Sequence, residues 1–241
     1  MTTTKMFCTM MLLAVSSGVA QTTAATGSVL GSVMDSNGLP VADAQVSYQL
    51  LVPPALSGGR SSSPGVAGTG TSDASGAFLL SRLPAGNYSL CVTVPASAYL
   101  DPCVWHYPVQ TQVTAGTAAT RTIVLTKGVF LKVRVDDPGG LLPQAVDGIW
   151  TRRKLVVGVK YGNGAYQGAD NTGVDGGGRD YQLIVPAGAP FKLWLYSTDV
   201  ALNDSSGAAV DTSGSLIPFQ TTSGQDQMFT FTVSGPASGA H

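Results

Sequence analysis

The 241-residue sequence contains no glutamate; all 14 of its acidic residues are aspartate. Glutamate is a good helix former, whereas aspartate favours caps and turns. Histidine is almost as scarce, with His106 and His241 alone. A Ser-His-Asp triad needs a positioned imidazole, so His106 is the single internal candidate, and no Gly-x-Ser-x-Gly elbow accompanies it. Charge is sparse too: 11% of residues are charged and the net charge is −1. Such a balance argues against a nucleic-acid partner, which selects a clustered basic face. The one basic cluster, Arg152-Arg153-Lys154, reads as a solvated loop or strand end. Lysine is missing altogether between Gln21 and Thr126. That excludes a Lys–Asn crosslink between strands from the first half. Lys132 is available in the second half, but no asparagine lies in the strand expected at Met228 to Val233.

Past the N-terminus, long apolar runs are also missing, so no membrane anchor is expected in the mature chain. The N-terminus itself has the order of an export signal over 1–20. Lys5 precedes an apolar run from Met6 to Val15, and Gly18-Val19-Ala20 supplies small residues before Gln21. Cys8 lies inside the apolar run, away from the cleavage point, which argues against a lipid anchor. The expectation is a secreted, periplasmic or cell-surface protein with a short flexible leader over 21–26. Cleavage leaves Cys91 and Cys103, and an even pair in an exported chain predicts a disulfide. Closing so short a loop stabilises by about 3 kcal/mol in the chain-entropy model. Two free thiols are the alternative.

What is abundant is 30 Gly and 14 Pro, with many Thr, Ser and Val. This composition predicts an all-β chain of short strands joined by tight turns, with little or no helix after the signal. Alternation marks strands at Ala44–Tyr48, Phe78–Leu80, Tyr88–Val94, Thr120–Leu125, Val129–Val135, Leu155–Tyr161, Phe191–Leu195 and Met228–Val233. Leu51 to Gly68 and Gly162 to Gly178 read as long surface loops. The order repeats: the turn Asp35-Ser36-Asn37-Gly38-Leu39 is echoed by Asp137-Pro138-Gly139-Gly140-Leu141. Pro84-Ala85-Gly86, read as a tight reversal between two strands, is echoed by Pro186-Ala187-Gly188. Each copy has the length of a small sandwich of about 100 residues. Tandem antiparallel β-sandwiches over 27–127 and 128–235, with a flexible tail over 236–241, are therefore expected. One larger sandwich is the competing reading.

The first copy carries Gly31-x-Val33-x-Asp35-x-x-Gly38-x-Pro40-Val41-x-x-Ala44-x-Val46. It continues with Thr71-x-Asp73-x-x-Gly76-x-Phe78-x-Leu80 and Leu83-Pro84-Ala85-Gly86-Asn87-Tyr88-Ser89-Leu90. This pattern resembles the carboxypeptidase regulatory-like domain. The resemblance implies a transthyretin-like (prealbumin-like) sandwich, related to the starch-binding-domain-like fold. It spans Gly27 to about Lys127, with Leu51 to Gly68 as an insertion; the second half is similar only in strand order and hinge. The physical reading stands beside it: Phe78, Leu83, Tyr88 and Leu90 fill one core, and none of these motif residues binds a metal or attacks a carbonyl. The zinc chemistry of the peptidases that bear such domains needs His ligands and a Glu base, which this inventory does not supply.

Two candidate sites remain. On the strand Phe191 to Tyr196, alternation puts Phe191, Leu193 and Leu195 on one face and Lys192, Trp194 and Tyr196 on the other. Trp105 and Tyr107 share the same spacing. Outward rings suit stacking against sugars; rings packed under loops or between the two copies are the plain alternative. The segment Asp170 to Asp180 offers oxygen ligands for calcium at Asp170, Asp175 and Asp180. It fits neither the EF-hand nor the Gly-Gly-x-Gly-x-Asp spacing, and an ordinary turn-rich loop is the plainer reading. The expectation is a non-catalytic binding or structural module, without cofactor or bound metal. Its partner would be a glycan or another envelope protein; the rival is a hydrolase using His106.

Overall fold

A computed structural model describes residues 25–51, 66–105, 108–142, 155–162 and 164–237. The expected export signal, most of the first long loop, His106, Tyr107 and Arg152-Arg153-Lys154 lie outside them. Nearly everything described is β-structure, in two β-sandwiches that follow one another along the chain. No helix among the described residues is long and apolar enough to cross a membrane.

The first sandwich contains β1 (Thr26–Asp35), β2 (Gln45–Leu50), β3 (Ala67–Thr71), β4 (Ala77–Pro84) and β5 (Gly86–Thr93). The four-residue helix α1 (Pro102–Trp105), β6 (Val109–Val113) and β7 (Ala118–Leu125) complete it. One layer has the order β4-β1-β7 and the other β3-β2-β5-β6. Alternate residues of both layers meet in a core that includes Val29, Val33, Val46, Phe78, Leu83, Tyr88, Leu90 and Ile123. The four residues expected to share a core do so.

The second sandwich contains β8 (Gly128–Asp136), β9 (Val156–Tyr161), β10 (Ala165–Gly168), β11 (Asp170–Asp175), β12 (Gly178–Pro186) and β13 (Pro190–Tyr196). It ends with β14 (Val200–Asp204), β15 (Ala209–Val210), β16 (Ser213–Gln220) and β17 (Gln227–Pro236). Its layers run β11-β12-β8-β17-β14-β15 and β10-β9-β13-β16. Replacing β1, β4 and β7 by β8, β12 and β17 reproduces the first layer, and β9, β10, β13 and β16 reproduce the second. The extra strands β11, β14 and β15 extend one layer at its edges. Each sandwich also has one parallel pair, β1 with β7 and β8 with β17, among otherwise antiparallel neighbours.

Two expectations are corrected here. Gly162 to Gly178 is not a loop: it contains β10 and β11, paired to β9 and β12. Glycines hid these strands, which take their order from the ladder bonds of their neighbours. Nor is the Pro-Ala-Gly phrase a reversal between paired strands. β4 pairs with β1 whereas β5 pairs with β2 and β6, so the phrase carries the chain from one layer to the other. Its copy does the same between β12 and β13. The two crossings are clamped differently: the Tyr88 hydroxyl donates to the Pro84 carbonyl (2.9 Å), and the Thr221 hydroxyl donates to the Pro186 carbonyl (2.8 Å).

Aspartate earns its abundance at turns of one design. In Asp35, Asp73 and Asp204, Oδ1 accepts the backbone N–H groups two and four residues on, at 2.8–3.0 Å. The glycine three residues on has a left-handed φ of 79°, 74° or 85° in the three turns, a region that a side chain disfavours. Asp137 builds a related turn, accepting from Leu141 and Leu142.

Candidate functional site

The two candidate tryptophans have the same sequence spacing and opposite surroundings. Trp105 ends α1, so the period of two expected for Trp105 and Tyr107 does not apply to it. Cys103 of α1 forms a disulfide with Cys91 of β5, as expected for an exported chain. Asp101 caps the turn, accepting from the Cys103 N–H at 2.8 Å. Burial pushes the Asp101 carboxyl above the usual carboxylate range. So held, Trp105 packs against the core of the second sandwich. Its ring lies 4.7 Å from that of Tyr161 and 5.9 Å from that of Phe191, and the Tyr161 hydroxyl donates to the Val104 carbonyl. Trp105 is thus a wedge between sandwiches rather than a ring offered to solvent. Beside it Tyr99 bridges Lys127, Leu100 is 3% exposed, and the Gly128 N–H donates to the Ala98 carbonyl.

Trp194 behaves as the strand period predicts. On β13, Phe191, Leu193 and Leu195 are buried, while Lys192 and Tyr196 are exposed and Trp194 is half-buried. Tyr166 of β10, absent from the sequence-based candidates, joins them. Its ring meets Trp194 edge-on at 4.8 Å, and Trp194 lies stacked with Tyr196 at 6.3 Å. Tyr166 is 49% exposed and Tyr196 40%. Tyr166, Trp194 and Tyr196 therefore form a ring row on the outer face of β10-β9-β13-β16. Sequence reasoning missed Tyr166 because β10 sits inside a glycine-rich stretch that gave no strand signal.

Small residues keep this row open. Gly158 and Gly168, paired with one another, continue the cross-strand line from Trp194. A Cβ on Gly158 would sit 2.5 Å from the Gln167 carbonyl oxygen, so the close approach of β9 and β10 depends on glycine there. On the other side β16 bulges: Leu195 pairs with Ser215 and Tyr196 with Ser213, leaving Gly214 between them. Gly214 has φ of 113°, and a Cβ there would approach the Trp194 Nε1 at 3.5 Å. Lys160 and Lys192 stand directly opposite one another across β9 and β13, and the Lys160 ammonium lies 5.2 Å from the Tyr166 ring centroid. Both line a shallow depression of about 550 Å³ at that end of the sheet, with Pro190, Pro218 and Gln220.

The calcium candidates are not brought together. Asp170 lines a 230 Å³ cleft at the junction with Asp101 and Trp105. Asp175 and Asp180 instead face Arg134, whose guanidinium donates to both oxygens of Asp175 at 3.0 Å, to Asp180 at 3.2 Å and to Asp136 at 2.8 Å. Arg134 holds Asp175 below the usual carboxylate range, and Asp175 foremost raises Arg134 above its ordinary value. Asp175 and Asp180 thus face a cation that the chain itself supplies. Among the described residues, the one cluster with metal-ligand spacing is Cys91, Asp101 and Cys103. Its two sulfurs are spent in the disulfide, and thiolates are what a metal would take.

No family model matches the sequence, and no curated protein is similar to it. Among solved structures, the chain is similar to the Bacillus anthracis TIE protein, at 12% identity and a TM-score of 0.34, over 87% of this chain and 34% of that one. It is similar to a Streptococcal ancillary pilin at 14% identity and a TM-score of 0.39, over 86% of this chain and 62% of the pilin. The third, BcpA, the major pilin subunit of Bacillus cereus, shows 14% identity and a TM-score of 0.32, over 80% of this chain and 81% of that one. The chain thus spans about a third of the first protein's length and under two thirds of the second's. Likeness at this level says nothing of what the chain does.

Proposed function

We propose that this is an exported, non-catalytic binding module that holds glycans on the outer face of β10-β9-β13-β16. The observation that carries the reading is the ring row of Tyr166, Trp194 and Tyr196, left open to solvent on a rigid sheet. The C–H faces of a pyranose are apolar, and they stack on aromatic faces whose area would otherwise be wet. Two units, 27–127 and 128–235, would share the work: the first, of the carboxypeptidase regulatory-like type, as a scaffold, and the second as the binding unit. The inventory of two histidines and no glutamate supports the non-catalytic part over a hydrolase using His106. A glycan array tests the proposal. Wild type should bind a subset of glycans, and Trp194→Ala or Tyr166→Ala should abolish that signal while Trp105→Phe preserves it. Binding unchanged by Trp194→Ala would sink it.

One observation favours a second reading, an assembly module that meets another envelope protein. The outer face of β4-β1-β7 exposes Leu30, Leu79 and Val124, at 47%, 57% and 60%. Leu30 and Leu79 are cross-strand neighbours. Sedimentation with and without Leu79→Lys, in the presence of envelope extract, tests it: a complex insensitive to the substitution argues against this face.

A further inference from the structure

We propose that the saccharide taken by the ring row is an acidic one, bearing carboxylates in the manner of a galacturonate oligomer. The inference rests on the glycan reading above and adds its charge. Four observations carry it. First, β9, β10, β13 and β16 contain no aspartate, in a chain with no glutamate at all. Second, Lys160 and Lys192 face each other directly across the ladder. Like charges so placed oppose folding of the sheet, and among the described residues neither lysine has an ion-pair partner. Third, the opposite sheet shows that this chain does pair its strand cations: Lys132 meets Asp226 at 2.8 Å, and Arg134 meets three aspartates. Fourth, both lysines border the 550 Å³ depression at that end of the sheet.

A carboxylate lying between the two ammonium groups would relieve their repulsion. The same sugar's apolar face would rest on Tyr166 and Trp194. Lys160 already leans over Tyr166, so a sugar stacked on that ring brings its carboxylate to the cation without rearrangement of the sheet. A neutral sugar would satisfy the rings and leave the lysine pair uncompensated.

The test is isothermal titration of the full chain with a galacturonate hexasaccharide and with its methyl ester, which has the same rings and no charge. The acid should bind about tenfold tighter at low salt, the gain of two exposed ion pairs. That preference should shrink as salt rises. Lys160→Met/Lys192→Met, which keeps the length of both stems, should bind acid and ester alike, with an unchanged melting temperature or a higher one. Trp194→Ala should lose both ligands. If wild type binds acid and ester equally and Trp194→Ala abolishes both, the charge inference is overturned and the glycan reading stands. If neither ligand nor any glycan of the array binds, the platform itself falls.

Discussion

Trp105 and Trp194 each open a ring-x-ring triplet in the sequence, yet one is an internal wedge and the other an external platform. The difference lies in what each stands on. Trp105 ends a short helix stapled by Cys91–Cys103 and turned toward Tyr161 and Phe191. Trp194 stands on a strand whose alternate residues already fill the core, so the strand period leaves it outside. A ring whose neighbours are buried aromatics holds the molecule together. Trp194, between Gly158 of β9 and Leu216 of β16, is half-buried and shares the outer face with Tyr166 and Tyr196.

Breaking the staple should produce the largest effect. Cys91→Ser/Cys103→Ser should cost about 3 kcal/mol in urea unfolding, with a red shift of tryptophan emission as α1 loosens. Trp105→Ala should come next, at about 2–3 kcal/mol because the ring is partly exposed, with glycan binding intact. Gly158→Val should cost about 1–3 kcal/mol by forcing β10 from β9. It should also abolish binding by displacing Tyr166, a loss visible in the same titration. Trp194→Ala should cost only about 1 kcal/mol, the value of its ring contacts, and still abolish binding. That reversal of rank between stability and binding is the sharpest form of the comparison.

Acid should act on the turns and spare the platform. The Ser75 hydroxyl holds Asp73 below the usual carboxylate range, the Ser206 hydroxyl does so for Asp204, and the Leu39 N–H for Asp35. A carboxyl lowered in the folded state contributes stability that is complete above its unfolded value, about pH 4. That stability is lost as pH falls through the lowered folded value. Melting temperature should therefore hold from neutrality to about pH 4 and drop below it, and Asp73→Asn should flatten the drop.

Much of this was legible in the residues. Period-two alternation marked the strands that bury one face, and Asp-x-x-Gly marked the turns, because both are local consequences of backbone geometry. The layer crossing at Pro84-Ala85-Gly86 was not legible. Two strands joined by a short hinge read alike whether they pair with each other or with distant partners, and Tyr88 closes the crossing through a bond to Pro84 that no spacing reveals. Strands β10 and β11 were hidden for a different reason: Gly168 and Gly173 give no apolar alternation, and the hairpin ladders to the adjoining β9 and β12 supply the order. The platform was half visible. Trp194 and Tyr196 followed from strand period, while Tyr166 needed the pairing of β10 to bring it near. Trp105 stands on a helix and packs against Tyr161 and Phe191, the arrangement given above as the plain alternative to an outward ring.

The central claim is that Trp194, and not Trp105, meets the sugar. The chain has three tryptophans, at 105, 150 and 194, and each gives one indole N–H signal in a proton–nitrogen correlation spectrum. Titration with the galacturonate hexasaccharide should move the Trp194 signal in proportion to saturation and leave the Trp105 signal in place. A Trp194 signal that stays still under saturating sugar, or a response confined to Trp105, would contradict the account.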